Sequence, residues 1–150
     1  MIVMKQVLVA TDFSDASLAA LDYGRALART FGSTLCVMHV TENAFLRPVA
    51  GDPHAHGAAI TRRLCEQLTD DDRTALHATT RLETSDNPAE SIVRYASTHG
   101  VDVIVLGTHG RGALEQLFVG SVAERVVRTA PCPVLTVRQP EREFLVPDQA

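Results

Sequence analysis

Three glycines and a hydroxyl, Gly107, Gly110, Gly120 and Ser121, stand between an apolar run and a segment of helical periodicity, and their types and spacing suit the binding of an anion. The run Val103 to Leu106 shows no polar alternation and is rich in β-branched residues, which predicts a strand buried on both faces and ending at Gly107. Glycine lets a backbone approach a ligand closely and take positive φ without steric cost. Ser121 and Glu124 have capping-box spacing, so Ser121 is the expected N-cap of a helix whose Val122, Val126 and Ala130 share a face before Pro131 stops it. Strand, glycine loop and helix start in that order aim unpaired N–H groups and the positive end of a helix dipole at one point, an arrangement suited to phosphate. Arg111 in this loop reads equally as a solvated cation or a phosphate contact.

The elements that must position this loop follow from the rest of the chain. A first strand is expected at Gln6 to Thr11, ending at Asp12, with Ser14 as N-cap of a helix running to about Thr30 and closed by Gly32. Leu18, Leu21, Ala28 and Phe31 are its expected buried face, with Asp22, Arg25 and Arg29 toward water. Ser33 to Thr41 reads as a second buried strand. Asn43 to Gly57 reads as a long loop leading into a helix from Ala58 to Leu68, whose end is ambiguous because Asp70, Asp71 and Asp72 would be misplaced against the dipole of its last turn. Leu76 to Thr84 alternates, which suits an edge strand. Asn87, Pro88 and Glu90 mark a helix start, and Ile92, Val93 and Ala96 its core face up to Gly100. Pro133 to Val137 is the fifth strand. Five strands alternating with four helices predict one α/β domain with a doubly wound parallel sheet, over residues 1–138, and a tail over residues 139–150.

The spacing G-x-x-G, nine residues, G-[ST], carried here by Gly107, Gly110, Gly120 and Ser121, resembles that of the ATP-binding branch of the universal stress protein family. The opening MKQVLVATDFSDAS, the segment NPAESIVRYA and the ending APCPVLTV resemble the family as well, in its usual order. The resemblance implies a Rossmann-like sheet of order 3-2-1-4-5, which sets Asp12 and Gly107 at the ends of neighbouring strands where the winding reverses and where open α/β sheets bind ligands. It implies an ATP site drawn from Ala10, Thr11, Asp12, Val40, Gly107, Thr108, Gly110, Arg111, Gly120, Ser121 and Val122, with Mg²⁺ accompanying the nucleotide. Asp12 then contacts the ribose hydroxyls or Mg²⁺, although Asp is also ordinary in such a turn; Val40 is plain core or pairs its backbone with adenine.

Three function classes follow from the resemblance. One is a nucleotide-dependent regulatory module, a homodimer through strand 133–137 that acts on a regulatory protein partner. The second is a slow ATPase or self-phosphorylating enzyme, disfavoured because G-x-x-x-x-G-K-[ST] and its lysine are missing. The third is a nucleotide-free stress scaffold.

Composition excludes other classes. A net charge of −4, with no block of like charges, leaves no electrostatic footprint for nucleic acid or an anionic membrane. No window approaches the roughly 18 apolar residues of a membrane span, so a cytoplasmic location is expected. Cys36, Cys65 and Cys132 are an odd set without C-x-x-C and read as reduced, structural thiols. His54 and His56 lack further ligands at a metal-site spacing, and His109 has no G-x-S-x-G serine to serve.

Overall fold

The computed structural model describes residues 1–42, 53–108 and 120–138. Its strands are β1 (Gln6–Ala10), β2 (Thr34–Thr41), β3 (Thr79–Thr84), β4 (Val103–Thr108) and β5 (Val134–Arg138). The helices among the described residues are α1 (Asp15–Phe31), α2 (Pro53–Glu66), α3 (Asp70–Ala75), α4 (Pro88–His99) and α5 (Ser121–Thr129). All strand pairs are parallel, and the order is β3-β2-β1-β4-β5. This is the doubly wound sheet that the resemblance implies.

The central strands explain their own apolar runs. Val7 and Val9 pack with Leu21, Ala28, Leu35, Val37 and Leu64 in one cluster, while Leu8 packs with Met38, Ile92, Ile104, Ala123 and Val126 in another. Burying each such side chain is worth about 1.5–3 kcal/mol, so β1 is fixed from both sides. Four helix termini are closed as their residues dictate. Ser14 Oγ accepts from the Ser17 N–H and Asn87 Oδ1 from the Glu90 N–H, and Gly32 and Gly100 take left-handed φ at the C-caps of α1 and α4.

Several expectations need correction. Leu18 and Phe31 are 45% and 36% exposed, and α1 instead buries a stripe of small residues, Ala16, Ala19, Ala20, Gly24 and Ala28, around Leu21. The helix lies too close to the sheet for larger side chains: a Cβ on Gly24 would collide with Cγ2 of Val9. Arg25 does not face water. Its side chain is 18% exposed and donates through Nε to both oxygens of the fully buried Asp72, while Nη2 donates to the Gln67 carbonyl.

That contact resolves the misplaced acids. Asp70, Asp71 and Asp72 form the first turn of α3, not the last turn of α2, and Thr69 and Asp72 close a reciprocal capping box. Burial raises the Asp72 pKa, but the Thr69 N–H and the Arg25 guanidinium outweigh it and hold the carboxyl below its ordinary value.

Helix α2 begins at Pro53, so the expected loop over 43–57 is shorter at its end; residues 43–52 lie outside the described residues. Strand β3 starts at Thr79, and β4 continues through Gly107 to Thr108 instead of stopping at the glycine. The three cysteines are free and half-buried. Cys36 Sγ lies 3.5 Å from Tyr95 Oη; burial and this thiol push the Tyr95 hydroxyl up to about 12. Burial, then the Asp102 carboxylate, raise the Cys132 thiol against a lowering hydrogen bond from the Ile104 N–H. Among the described residues no helix is long and apolar enough to cross a membrane.

Candidate functional site

The site is a notch that the sheet makes at its own centre. Pairing between β1 and its neighbours ends at Ala10, opposite Met38 on one side and Leu106 on the other, while β2 runs on to Thr41 and β4 to Thr108. In a parallel ladder, alternate residues turn their backbone groups to opposite neighbours. The Met38 carbonyl accepts from the Thr11 N–H at 2.9 Å, so Met38 faces β1; the Thr41 carbonyl accepts from the Ser85 N–H, so Thr41 faces the other side. Val40 therefore turns its amide and carbonyl toward β1, where β1 has already ended.

A cleft of about 220 Å³ occupies this notch. Its walls are the β1–α1 turn (Ala10, Thr11, Asp12 and Ser17), the end of β2 (Met38, His39 and Val40), the start of α4 (Pro88 and Ile92), β4 (Leu106 and Gly107) and the start of α5 (Gly120, Ser121, Val122 and Ala123). Eight of the residues expected at the site from sequence therefore meet here: Ala10, Thr11, Asp12, Val40, Gly107, Gly120, Ser121 and Val122. Thr108 does not line the cleft; it is buried, and its Oγ1 donates to the Val137 carbonyl at 3.4 Å. Gly110 and Arg111 lie outside the described residues.

The β1–α1 turn is held by its own side chains. Asp12 Oδ1 accepts from the Ser14 N–H at 3.0 Å and from the Ser17 hydroxyl at 2.7 Å, and Ser17 Oγ in turn accepts from the Asp12 N–H at 3.1 Å. Thr11 Oγ1 accepts from the Phe13 N–H at 3.0 Å. These bonds set the Asp12 carboxylate, which is itself exposed, at the rim of the cleft. Ser17, buried like Thr11, is invisible to motif reading; its one sequence signal is its place in the first turn after Ser14.

The helix start across the cleft differs from the expectation. Gly120, not Ser121, is the N-cap of α5, no side chain caps it, and the Glu124 N–H donates to the Gly120 carbonyl. Ser121 and Glu124 are thus one position past the capping-box register, and the Glu124 carboxylate accepts from Arg128 instead, at 2.7 Å. Val122 is 37% exposed, and the buried face of α5 is Ala123 and Val126. Gly120 has φ −54° and ψ 149°, a conformation open to any residue, so backbone geometry does not demand glycine there.

Gly107 is required for another reason than positive φ. A Cβ there would lie 2.5 Å and 2.6 Å from the carbonyl carbon and oxygen of Ala16 and 2.8 Å from its Cβ. The first turn of α1 rests directly on β4 at this point.

Comparison with known proteins gives a consistent result. The universal stress protein family matches residues 4–138. A universal stress protein of Thermus aquaticus, from the QAH/OAS sulfhydrylase 3' region, is 36% identical over 140 residues, covering 89% of this chain and 98% of that protein. The solved structure of the hypothetical protein MJ0577 of Methanocaldococcus jannaschii superposes with a TM-score of 0.71 at 25% identity, covering 94% of this chain and all (100%) of that one. A universal stress protein from Archaeoglobus fulgidus in complex with dAMP shares the fold, with a TM-score of 0.67, 23% identity, and 91% and 99% of the two chains covered. Family match, relatives and fold agree that the chain belongs to the universal stress protein family.

Proposed function

We propose that the chain binds ATP, accompanied by Mg²⁺, in the cleft above β1 and acts as a nucleotide-dependent regulatory module. The observation that carries this reading is the pairing of two unlike rims on one notch. The Asp12 carboxylate stands at the β1–α1 turn, and opposite it α5 begins with Gly120 and without a capping side chain. A carboxylate accepts from ribose hydroxyls or ligates a hard cation such as Mg²⁺. An uncapped helix start offers N–H donors and a partial positive charge to phosphate. Between them, the backbone groups of Val40 supply a donor and an acceptor for the edge of a base, with Met38, Pro88 and Ile92 as apolar wall.

Calorimetric titration of ATP with and without Mg²⁺ tests the reading, on the wild type and on Asp12→Asn and Gly110→Val, with circular dichroism to confirm folding. Binding in the wild type, weakened by each substitution, is the expected result. A wild type that takes no ATP refutes the proposal. A loss in Asp12→Asn that is the same at high and low Mg²⁺ assigns Asp12 to the ribose, and a loss confined to high Mg²⁺ assigns it to the metal.

The module is also proposed to be a homodimer through β5. The strand order puts β5 at an edge, and Leu135 on it is 36% exposed. The opposite edge, β3, carries the pair Arg81 and Glu83, 2.8 Å apart, which suits water. The residues over 139–150, including Phe144, Leu145 and Val146, lie outside the described residues.

A further inference from the structure

Phe13, next to Asp12, has φ +65° although it is an aromatic residue, a conformation that L side chains rarely adopt and that persists only where the surroundings impose it. Phe13 packs partly against the core cluster of β1, α1 and α2, and two side chains from other elements close on its ring. From β2, the His39 ring lies 4.7 Å from the Phe13 ring, tilted by 41°, and His39 Nδ1 is 2.7 Å from the Thr11 carbonyl oxygen. A carbonyl only accepts, so Nδ1 carries the proton and donates to it. From α2, the exposed Arg63 sets its guanidinium over the Phe13 ring, 4.2 Å from the centroid.

We propose that Arg63, Phe13 and His39 form a positioning stack that clamps the β1–α1 turn and thereby fixes Asp12 at the rim of the cleft. His39 holds the residue before Asp12 by a hydrogen bond and the residue after it by ring contact. Arg63 closes the stack from outside and ties the turn to α2, which shares no backbone pairing with it. With the left-handed Phe13 in place, the next N–H, that of Ser14, is returned to Asp12 Oδ1. The stack is a device of the turn itself; its effect on ligand affinity rests on the nucleotide reading above.

The test separates the two. In the ligand-free protein, hydrogen exchange of the Asp12, Phe13 and Ser14 amides reports the turn directly. In Phe13→Gly the left-handed backbone becomes free of steric cost while the stack and the ring's packing against the core are lost, so exchange of these amides rises by more than that of the core amides, which report the global change in stability. Arg63→Gln, a surface change that leaves the core untouched, raises exchange at the same amides, and Arg63→Lys restores part of the protection because the cation over the ring remains. ATP affinity falls by about two- to fivefold in Phe13→Gly and Arg63→Gln, the size of one exposed cation–π contact. Unchanged exchange in Phe13→Gly overturns the clamp. Faster exchange with unchanged affinity, in a protein whose wild type binds ATP, overturns its role in positioning Asp12. A wild type that binds no ATP defeats the nucleotide reading, and the exchange measurements then still decide whether the stack holds the turn.

Discussion

Replacing Gly107 by alanine separates packing from ligand approach as the reason for that glycine. The new Cβ would sit 2.5 Å and 2.6 Å from the Ala16 carbonyl carbon and oxygen, against an ordinary contact of about 3.5–4.0 Å. The first turn of α1 has to retreat by about 1 Å, and it cannot do so by turning a side chain, because the atoms struck are backbone. Overpacking of this kind costs about 1–3 kcal/mol, and the rigidity of the obstacle puts the expected cost in the upper half of that range. At roughly 2–4 °C per kcal/mol for a chain of this size, the melting temperature should fall by about 4–12 °C. Thermal unfolding followed by circular dichroism measures that shift, and urea unfolding measures the free-energy cost, with the midpoint lowered and the slope unchanged. Ala16→Gly in the same chain should rescue little, since it removes the Cβ at 2.8 Å and leaves both closer backbone atoms in place. A Gly107→Ala protein within about 0.5 kcal/mol of wild type, the range of an inert surface change, would refute the packing account and return Gly107 to the phosphate cradle alone.

Asp72→Asn should cost about 2–4 kcal/mol, somewhat under the 3–5 kcal/mol of a fully buried broken pair because Arg25 keeps 18% exposure and its bond to the Gln67 carbonyl. The folded Asp72 has a lowered pKa, so its contribution is complete above the unfolded value of about 3.9 and is lost as pH falls through the folded one; acid unfolding of Asp72→Asn should be flatter in that window, and a parallel acid limb would contradict it. For the dimer, the Ile104 N–H donates to the Pro133 carbonyl, so residues 133, 135 and 137 bond to β4 and the amides of Val134 and Thr136 face the open edge. Thr136→Pro should therefore shift sedimentation from about twice the 16.2 kDa chain mass toward the monomer while the fold is kept; Leu135→Pro breaks the sheet, and Val137→Lys buries a charge in the core, where Val137 is 4% exposed. A wild type that sediments as a monomer at micromolar concentration ends the dimer proposal. Asn87→Ala should cost about 1 kcal/mol by removing the cap that accepts from the Glu90 N–H, and no loss of thermal stability would contradict that role.

The residues that made the fold legible are those whose physics is local. The unbroken runs of β1, β2 and β4 announce strands buried on both faces, and Ser14, Asn87, Gly32 and Gly100 announce helix ends. Distances between elements are not local, and there reading by pattern failed. The α1 stripe is built from Ala and Gly because β1 and β4 press on it, and the larger Leu18 and Phe31 are left outside by that closeness. Thr69 and Asp72 did carry a readable capping box, but the partner that makes Asp72 worth burying, Arg25, is 47 residues away in sequence. In the site, the glycine spacing located β4 and α5, whereas Ser17 and His39 act through bonds to Asp12 and Thr11 that no spacing announces.

The two helix starts at the cleft give it a direction. At α1 the chain spends its own side chains: Ser14 caps the Ser17 N–H, and Asp12 takes both the Ser14 N–H and the Ser17 hydroxyl. That end is saturated with internal acceptors and carries a carboxylate, so it repels an anion and suits hydroxyl donors or a cation. At α5 the N-cap Gly120 has no side chain to offer, and the acid of the first turn, Glu124, accepts from Arg128. That end suits the anion. A ligand with hydroxyls at one end and phosphates at the other meets complementary partners in only one orientation. Under the nucleotide reading proposed above, that selectivity comes from two unlike helix starts lining one cleft at the point where the sheet reverses its winding.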